Sequence, residues 1–158
     1  MKKYDTVIFD MDGTLLNTLE DMKDSMNHVL ARHGFPARNL EEIRSFVGNG
    51  IARLTELAIP NGKDNSLYEE CLAEYREHYS QNMMRRTAVY PGIYELLGKL
   101  KDNDYKLAIV SNKFDSAVKE LNGVYFSDYI KIAIGSSDNT ARKPAPDTVI
   151  NAMAELKS

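Results

Sequence analysis

Cysteine is nearly absent. Cys71 is the only one among 158 residues, so no internal disulfide forms and a reducing compartment is expected. No apolar run approaches the length that spans a bilayer. Met1-Lys2-Lys3 is basic, but the apolar run behind it is too short for a secretory signal. Neither charge dominates: 20 Lys and Arg against 23 Asp and Glu give a net charge of −3. That mild acidity argues against nucleic-acid binding and against attraction to an anionic membrane. Internal repeats and low-complexity segments are also lacking. What is present, 43% hydrophobic and 27% charged, is an ordinary globular composition. The length suits about one domain with a real core. The expectation is a soluble cytoplasmic protein.

The most informative stretch lies near the start. Val7-Ile8-Phe9 is a continuous apolar run, as in a strand covered on both faces, and the strand is expected over Thr6–Phe9. It leads into Asp10-Met11-Asp12-Gly13-Thr14. Two carboxylates then sit at the carboxyl end of a parallel strand, where open α/β sheets bind ligands. Gly13 permits a sharp turn and a close backbone approach. Thr14 adds a hydroxyl and an N–H, and successive N–H groups in such a turn make an anion cradle. One carboxylate can attack phosphorus or hold a hard cation while the other moves a proton. Asp and Gly also form plain turns, and these residues alone favour neither reading. A calcium loop fits poorly, because its fifth and twelfth positions would be Thr14 and Asp21.

Two more apolar strands follow. Leu107–Val110 ends in Ser111-Asn112-Lys113, and Ile130–Ile134 ends in Gly135-Ser136-Ser137. Arg142-Lys143-Pro144-Ala145-Pro146 comes soon after. Alone, Ser111 is a helix N-cap and Lys143 a solvated lysine. Together, Asp-x-Asp-Gly-Thr at Asp10, Ser111 at a strand end and Lys143 before Pro-x-Pro resemble the three ordered motifs of the haloacid-dehalogenase superfamily of phosphotransferases.

The resemblance implies a Rossmann-like parallel α/β core, an aspartyl-phosphate intermediate and Mg²⁺. Asp10 would be the nucleophile and Asp12 the general acid and base, with both contributing to the metal site. Gly13, Thr14, Ser111, Asn112 and Lys143 would bind the phosphate. A hydroxyl and an ammonium there offset the charge that spreads over a transferring phosphoryl group. The branch of the superfamily that cleaves carbon–halogen bonds lacks the second aspartate, so Asp12 favours phosphate chemistry.

Between the first two strands the pattern is helical. Asn17 or Thr18 can cap a helix with Leu19, Met22, Met26, Val29 and Leu30 on one face. Asn39 can cap a second, with Leu40, Ile43, Phe46 and Val47. Gly48-Asn49-Gly50 breaks it before a third with Ile51, Leu54, Leu57 and Ala58. Ser66-Leu67-Tyr68-Glu69 reads as a capping box opening a fourth, through Cys71, Leu72, Tyr75 and Tyr79. The resemblance makes this insertion a small α-helical cap, residues 17–85, on a core of residues 1–16 and 86–158. Ile93, Leu96, Leu97 and Leu100 should face inward on the next helix, and Val149, Ile150, Met153 and Leu156 on the last.

Val47–Ile51, Asn112-Lys113 and Tyr90-Pro91-Gly92 are similar to the corresponding segments of phosphoglycolate phosphatases. Asn49, Arg53 and Lys113 are expected at the non-phosphate end of a small phosphorylated metabolite, where a cation suits a carboxylate. The family's fourth motif, an acidic pair that completes the Mg²⁺ site, has no counterpart in the fifteen residues after Lys143. This implies a chain shortened at its C-terminus, weak Mg²⁺ binding, and self-association through an exposed edge of the first strand. The alternatives are an inactive or binding-only fragment, or a related pyrophosphatase or β-phosphoglucomutase.

Overall fold

The structure is a computed structural model that describes residues 2–158. It divides into two compact units: the chain up to Leu16 with Val89–Ser158, and Asn17–Ala88. The expected boundaries were 16/17 and 85/86; the second crossing falls at Ala88/Val89. No helix among the described residues is long and apolar enough to cross a membrane.

The first unit is α/β. Strands β1 (Thr6–Phe9), β4 (Lys106–Phe114) and β5 (Ile132–Ser136) form a parallel sheet in the order β1-β4-β5. Thr6 pairs with Lys106 and Phe9 with Ile109; Ala108 pairs with Ile132 and Val110 with Ile134. Parallel neighbours need a crossover, supplied between β4 and β5 by α6 (Asp115–Tyr125). Helices α5 (Ile93–Asp102) and α7 (Asp147–Leu156) complete the unit. Ala108, Val110 and Ala152 form a buried cluster flanked by Ile8, Ile132, Ile134, Val149 and Leu156. The small Ala152 lets α7 lie close on the sheet.

Strand β5 runs over Ile132–Ser136 where Ile130–Ile134 was expected, and four further elements differ from the sequence reading. First, β1 spans Thr6–Phe9 as expected, but its residues are half-buried rather than covered on both faces, and it pairs on one side only. Second, β4 does not stop at Val110 but continues through Ser111, Asn112 and Lys113 to Phe114. Its register with β5 shifts between Val110 and Phe114, and Phe114 pairs with Ser136. Third, Leu96 of α5 is exposed and Leu97 carries the burial. Fourth, α7 is rotated from the expected face: Thr148 and Ala152 are buried, and Ile150 and Met153 face solvent. A flat sheet accepts the small side chains at closest approach and leaves the longer ones at the flanks.

The second unit is helical: α1 (Leu19–Arg32), α2 (Leu40–Phe46), α3 (Gly50–Ala58) and α4 (Tyr68–Asn82), with a 3-10 turn at Gly62–Asp64. Met22, Met26, Val29 and Leu30 are buried along α1, as their spacing requires. Asn39 caps α2 in a reciprocal box with Glu42: the Glu42 N–H donates to Asn39 Oδ1 and the Asn39 N–H to Glu42 Oε2, both at 2.9 Å. The box expected at Ser66–Glu69 does not form. Helix α4 starts at Tyr68, and Asn65 Oδ1 accepts the Leu67 N–H instead, at 2.9 Å. Cys71, Tyr75 and Tyr79 are buried, with the two tyrosine rings stacked at 5.6 Å. The chain passes between the units through β2 (Leu16–Asn17) and β3 (Ala88–Val89), which pair with each other.

Candidate active site

The site is assembled at the carboxyl end of the parallel sheet, entirely within the α/β unit. β1 ends at Phe9, so Asp10 is the first residue beyond the ladder, with its side chain 47% exposed. The tight turn that follows is centred on Met11, whose carbonyl accepts the N–H groups of Thr14, Leu15 and Leu16 at 3.2, 3.0 and 3.1 Å. Gly13 lies at φ 75°, where only glycine is unstrained, and its N–H donates to the Leu16 carbonyl at 2.9 Å. The N–H groups of Gly13 and Thr14 therefore close the turn rather than standing open as an anion cradle. The turn fixes the direction of both carboxylates.

Opposite them stand two lysines from different places in the chain. Lys143 Nζ lies 3.3 Å from Asp10 Oδ1 and donates to the Val110 carbonyl at 2.9 Å. Lys113 Nζ lies 3.2 Å from Asp12 Oδ1. The exposures grade across the site: 2% for the Lys113 side chain, 22% for Asp12, 30% for Lys143 and 47% for Asp10. A buried ammonium requires a partner, and Asp12 is that partner for Lys113. The more open pair, Asp10 and Lys143, offers a carboxylate oxygen and an ammonium side by side where a solvent-borne anion can reach them. Asp10 Oδ1 also accepts the Met11 N–H at 2.8 Å, which holds its rotamer.

Ser111 is buried in β4, next in the chain to the Val110 carbonyl that Lys143 meets, and its Oγ accepts the Lys113 N–H at 3.2 Å. Asn112 is buried against the main chain of Lys143. These side chains remain in the strand because each polar group finds a partner there. Gly135 supports the same segment from β5. A Cβ on it would stand 2.5 Å from Asp115 Cα and 2.7 Å from the Lys113 carbonyl, so only glycine fits. The Gly135 N–H donates to Asp115 Oδ1 at 2.8 Å. Burial pushes the Asp115 carboxyl up, but Lys119 and the Gly135 N–H outweigh it and leave its pKa below the usual value.

The structure thus brings together Asp10, Asp12, Ser111, Lys113 and Lys143, with Gly13 and Thr14 in the supporting turn. Lys113 stands behind Asp12 rather than at an open rim. Asn49 and Arg53 belong to the helical unit: Asn49 is exposed at the start of α3, and Arg53 pairs with Glu56 at 2.9 Å. Among the described residues, the group of metal-capable side chains that numbers three or more is His33, Glu70 and Glu74, on the helical unit. His33 Nε2 there already pairs with Glu74 at 3.0 Å.

Residues 7–158 match the haloacid dehalogenase-like hydrolases. The chain belongs to that family. Within it, the chain is 31% identical over 155 residues to the phosphoglycolate phosphatase of Rhodobacter capsulatus, covering 96% of this chain and 70% of that protein. It is 29% identical over 151 residues to the phosphoglycolate phosphatase of Thiobacillus denitrificans, covering 92% of this chain and 66% of the relative. The fold of a candidate phosphoglycolate phosphatase from Lactobacillus delbrueckii subsp. bulgaricus superposes with a TM-score of 0.90 at 28% identity, over 99% of this chain and 74% of that one. The chain therefore spans about two-thirds of the length of curated members it matches. In this haloacid dehalogenase-like hydrolase, sequence reasoning missed the Val110 carbonyl, Asp115 and Gly135 as parts of the site. Gly135 lies inside β5, and a glycine within an apolar strand is a signal of close backbone approach.

Proposed function

We propose that the chain hydrolyses a small phosphate monoester of the phosphoglycolate type. The observation that carries this reading is the half-exposed Asp10 carboxylate at a strand end with the Lys143 ammonium 3.3 Å away. An Asp10 oxygen attacks phosphorus, the ester oxygen departs, and Asp12 supplies the proton it needs. Water then attacks the aspartyl-phosphate, Asp12 takes the proton, and phosphate leaves. Lys143 and the Ser111 hydroxyl stabilise the charge on the phosphoryl oxygens. Lys113 keeps Asp12 in place through both steps.

The donor set suits Mg²⁺ in kind. Hard oxygens are offered by a carboxylate open to solvent, and Mg²⁺ is commonly held by one or two carboxylates plus substrate phosphate. Asp10 would hold the ion with help from Asp12, and the ion would neutralise phosphoryl charge. The helical unit is the proposed cap, with Asn49 and Arg53 as its proposed contacts to the carboxylate end of the substrate. Similarity to phosphoglycolate phosphatases supports the substrate class.

A screen of phosphate monoesters with and without Mg²⁺ tests the reading. Turnover of phosphoglycolate well above that of sugar phosphates is expected. Equal turnover of unrelated sugar phosphates would remove the acid preference, and turnover retained by Asp10→Asn would remove the mechanism.

A further inference from the structure

We infer that Asn112 is a positioning residue that aims Lys143, rather than a ligand of the phosphate; this rests on the phosphatase reading above. The Asn112 amide engages both main-chain groups of one residue. Its Nδ2 donates to the Lys143 carbonyl at 3.1 Å, and its Oδ1 accepts the Lys143 N–H at 2.9 Å. A side-chain amide used in this way acts as one extra rung of a β-ladder, fixing both the position and the direction of the backbone it meets. The opposite amide orientation would set oxygen against oxygen and N–H against N–H, so the pattern fixes the assignment.

The other end of the same lysine is held by the same strand. Lys143 Nζ donates to the Val110 carbonyl at 2.9 Å, two residues before Asn112 on β4. Lys143 is thus gripped at its main chain and at its head, with four methylenes spanning between. A free lysine side chain samples many rotamers. Fixing both ends removes most of that freedom before a substrate arrives, and the ammonium is left 3.3 Å from Asp10. The segment around Lys143 lies in no helix and no strand, and Arg142 and Pro144 beside it are exposed. The rigid element that holds it at both ends is β4, and Asn112 is the side chain that transfers its rigidity to the Lys143 backbone.

The residue type follows from the task. An aspartate could accept the Lys143 N–H but could not donate to its carbonyl, and it would bury a charge against that backbone. A leucine of similar size would do neither. Burial of Asn112 fits a role in holding the backbone.

The test is a double-mutant cycle between Asn112→Leu and Lys143→Met in the full chain. It is read in two ways: amide hydrogen exchange at Lys143, and turnover with orthophosphate binding. In Asn112→Leu the Lys143 N–H should exchange at least about tenfold faster than in the parent. Turnover and orthophosphate affinity should fall about tenfold to a hundredfold. With Lys143→Met already present, the same substitution should cost less than about twofold, because the side chain it aims is gone. Asn112→Ser, smaller and still polar, carries the same expectations if the leucine variant does not fold. Equal losses in both backgrounds would overturn the proposal and make Asn112 a direct phosphate contact. An unchanged Lys143 exchange rate would overturn it as well. A parent protein without turnover would defeat the phosphatase reading alone, and the exchange measurement would still decide the role of Asn112.

Discussion

An aspartate near the entry to each unit organises its surroundings, and the two are used in opposite ways. Asp21 of the helical unit is buried. Its oxygens accept the Arg86 N–H at 3.0 and 2.9 Å, the Thr87 N–H at 2.9 Å and the Thr87 hydroxyl at 2.9 Å. Arg86 continues outward to Glu20 and Asp24 at 3.2 and 2.7 Å. Asp10 of the α/β unit takes one N–H, from Met11 at 2.8 Å, and faces one ammonium across 3.3 Å. A carboxylate surrounded by donors ties two chain segments together and has nothing left to offer a ligand. One with an open side and an ammonium held beside it is placed to act as a reagent. Residue type does not distinguish the two cases; saturation of the oxygens does.

Replacing the reagent should change chemistry and little else. Asp10→Asn is expected to lower phosphate release about 10⁴-fold or more, with stability altered by less than about 1 kcal/mol because the group is half-exposed. Calorimetry beside a phosphate assay checks both halves, and a large loss of stability would erase the contrast with Asp21. Replacing the tie should do the reverse. Asp21→Ala leaves the Arg86 and Thr87 donors without their acceptor and should lower the stability of the helical unit by about 3 kcal/mol. A urea melt followed by circular dichroism measures this, and a loss below about 1 kcal/mol would show that the network is slack.

A third variant probes how firmly the α/β unit holds its reagent. Gly135→Ala drives a methyl group toward the backbone of Asp115 and Lys113. It should cost about 2 kcal/mol, read as a lower melting temperature. Finally, the units should respond to acid at different points. His78 is pushed below its usual pKa by burial, by His28 stacked at 4.0 Å and by Arg85. The unfolded chain therefore takes up that proton first, and the contribution of His78 to stability fades as pH falls below about 6.5. Asp115 is shifted down, so its contribution is present above about pH 3.9 and is lost only as pH falls further. A small drop in the helical unit's melting temperature between pH 7 and pH 5, absent in His78→Gln, is the expected result.

The fold was legible where a local rule met no competition. Val7 to Phe9 and Leu107 to Val110 read as strands from their unbroken apolar character, the second of them buried as expected, and Asn39 read as a cap because its side chain had no better use. The sequence misled wherever a tertiary partner decided the outcome. Ser111, Asn112 and Lys113 look like the polar end of a strand. They stay inside β4 because Asp12 and Lys143 supply partners that lie far away in the chain. Ser66 does not cap α4, whose N-cap is Leu67; Asn65 instead turns the chain ahead of it by accepting the Leu67 N–H. Helix α7 shows apolar residues on more than one side, and the sheet's preference for Thr148 and Ala152 settled which side faced it. In the site, the Asp10 and Asp12 pair could be read from residue types and spacing. The burial of Lys113 could not, since a lysine after a strand is usually solvated.

The pairing of β2 with β3 has a consequence for how such a protein can change over time. The helical unit leaves the chain at Asn17 and returns at Ala88, and these two points lie on adjacent strands. Its ends are therefore neighbours, as they are in a cassette that can be lifted out and exchanged. Asp10, Asp12, Ser111, Lys113 and Lys143 all lie outside that cassette. Grafting a different insert between Leu16 and Val89 would leave all five in place, so one segment can be replaced while these side chains are inherited intact.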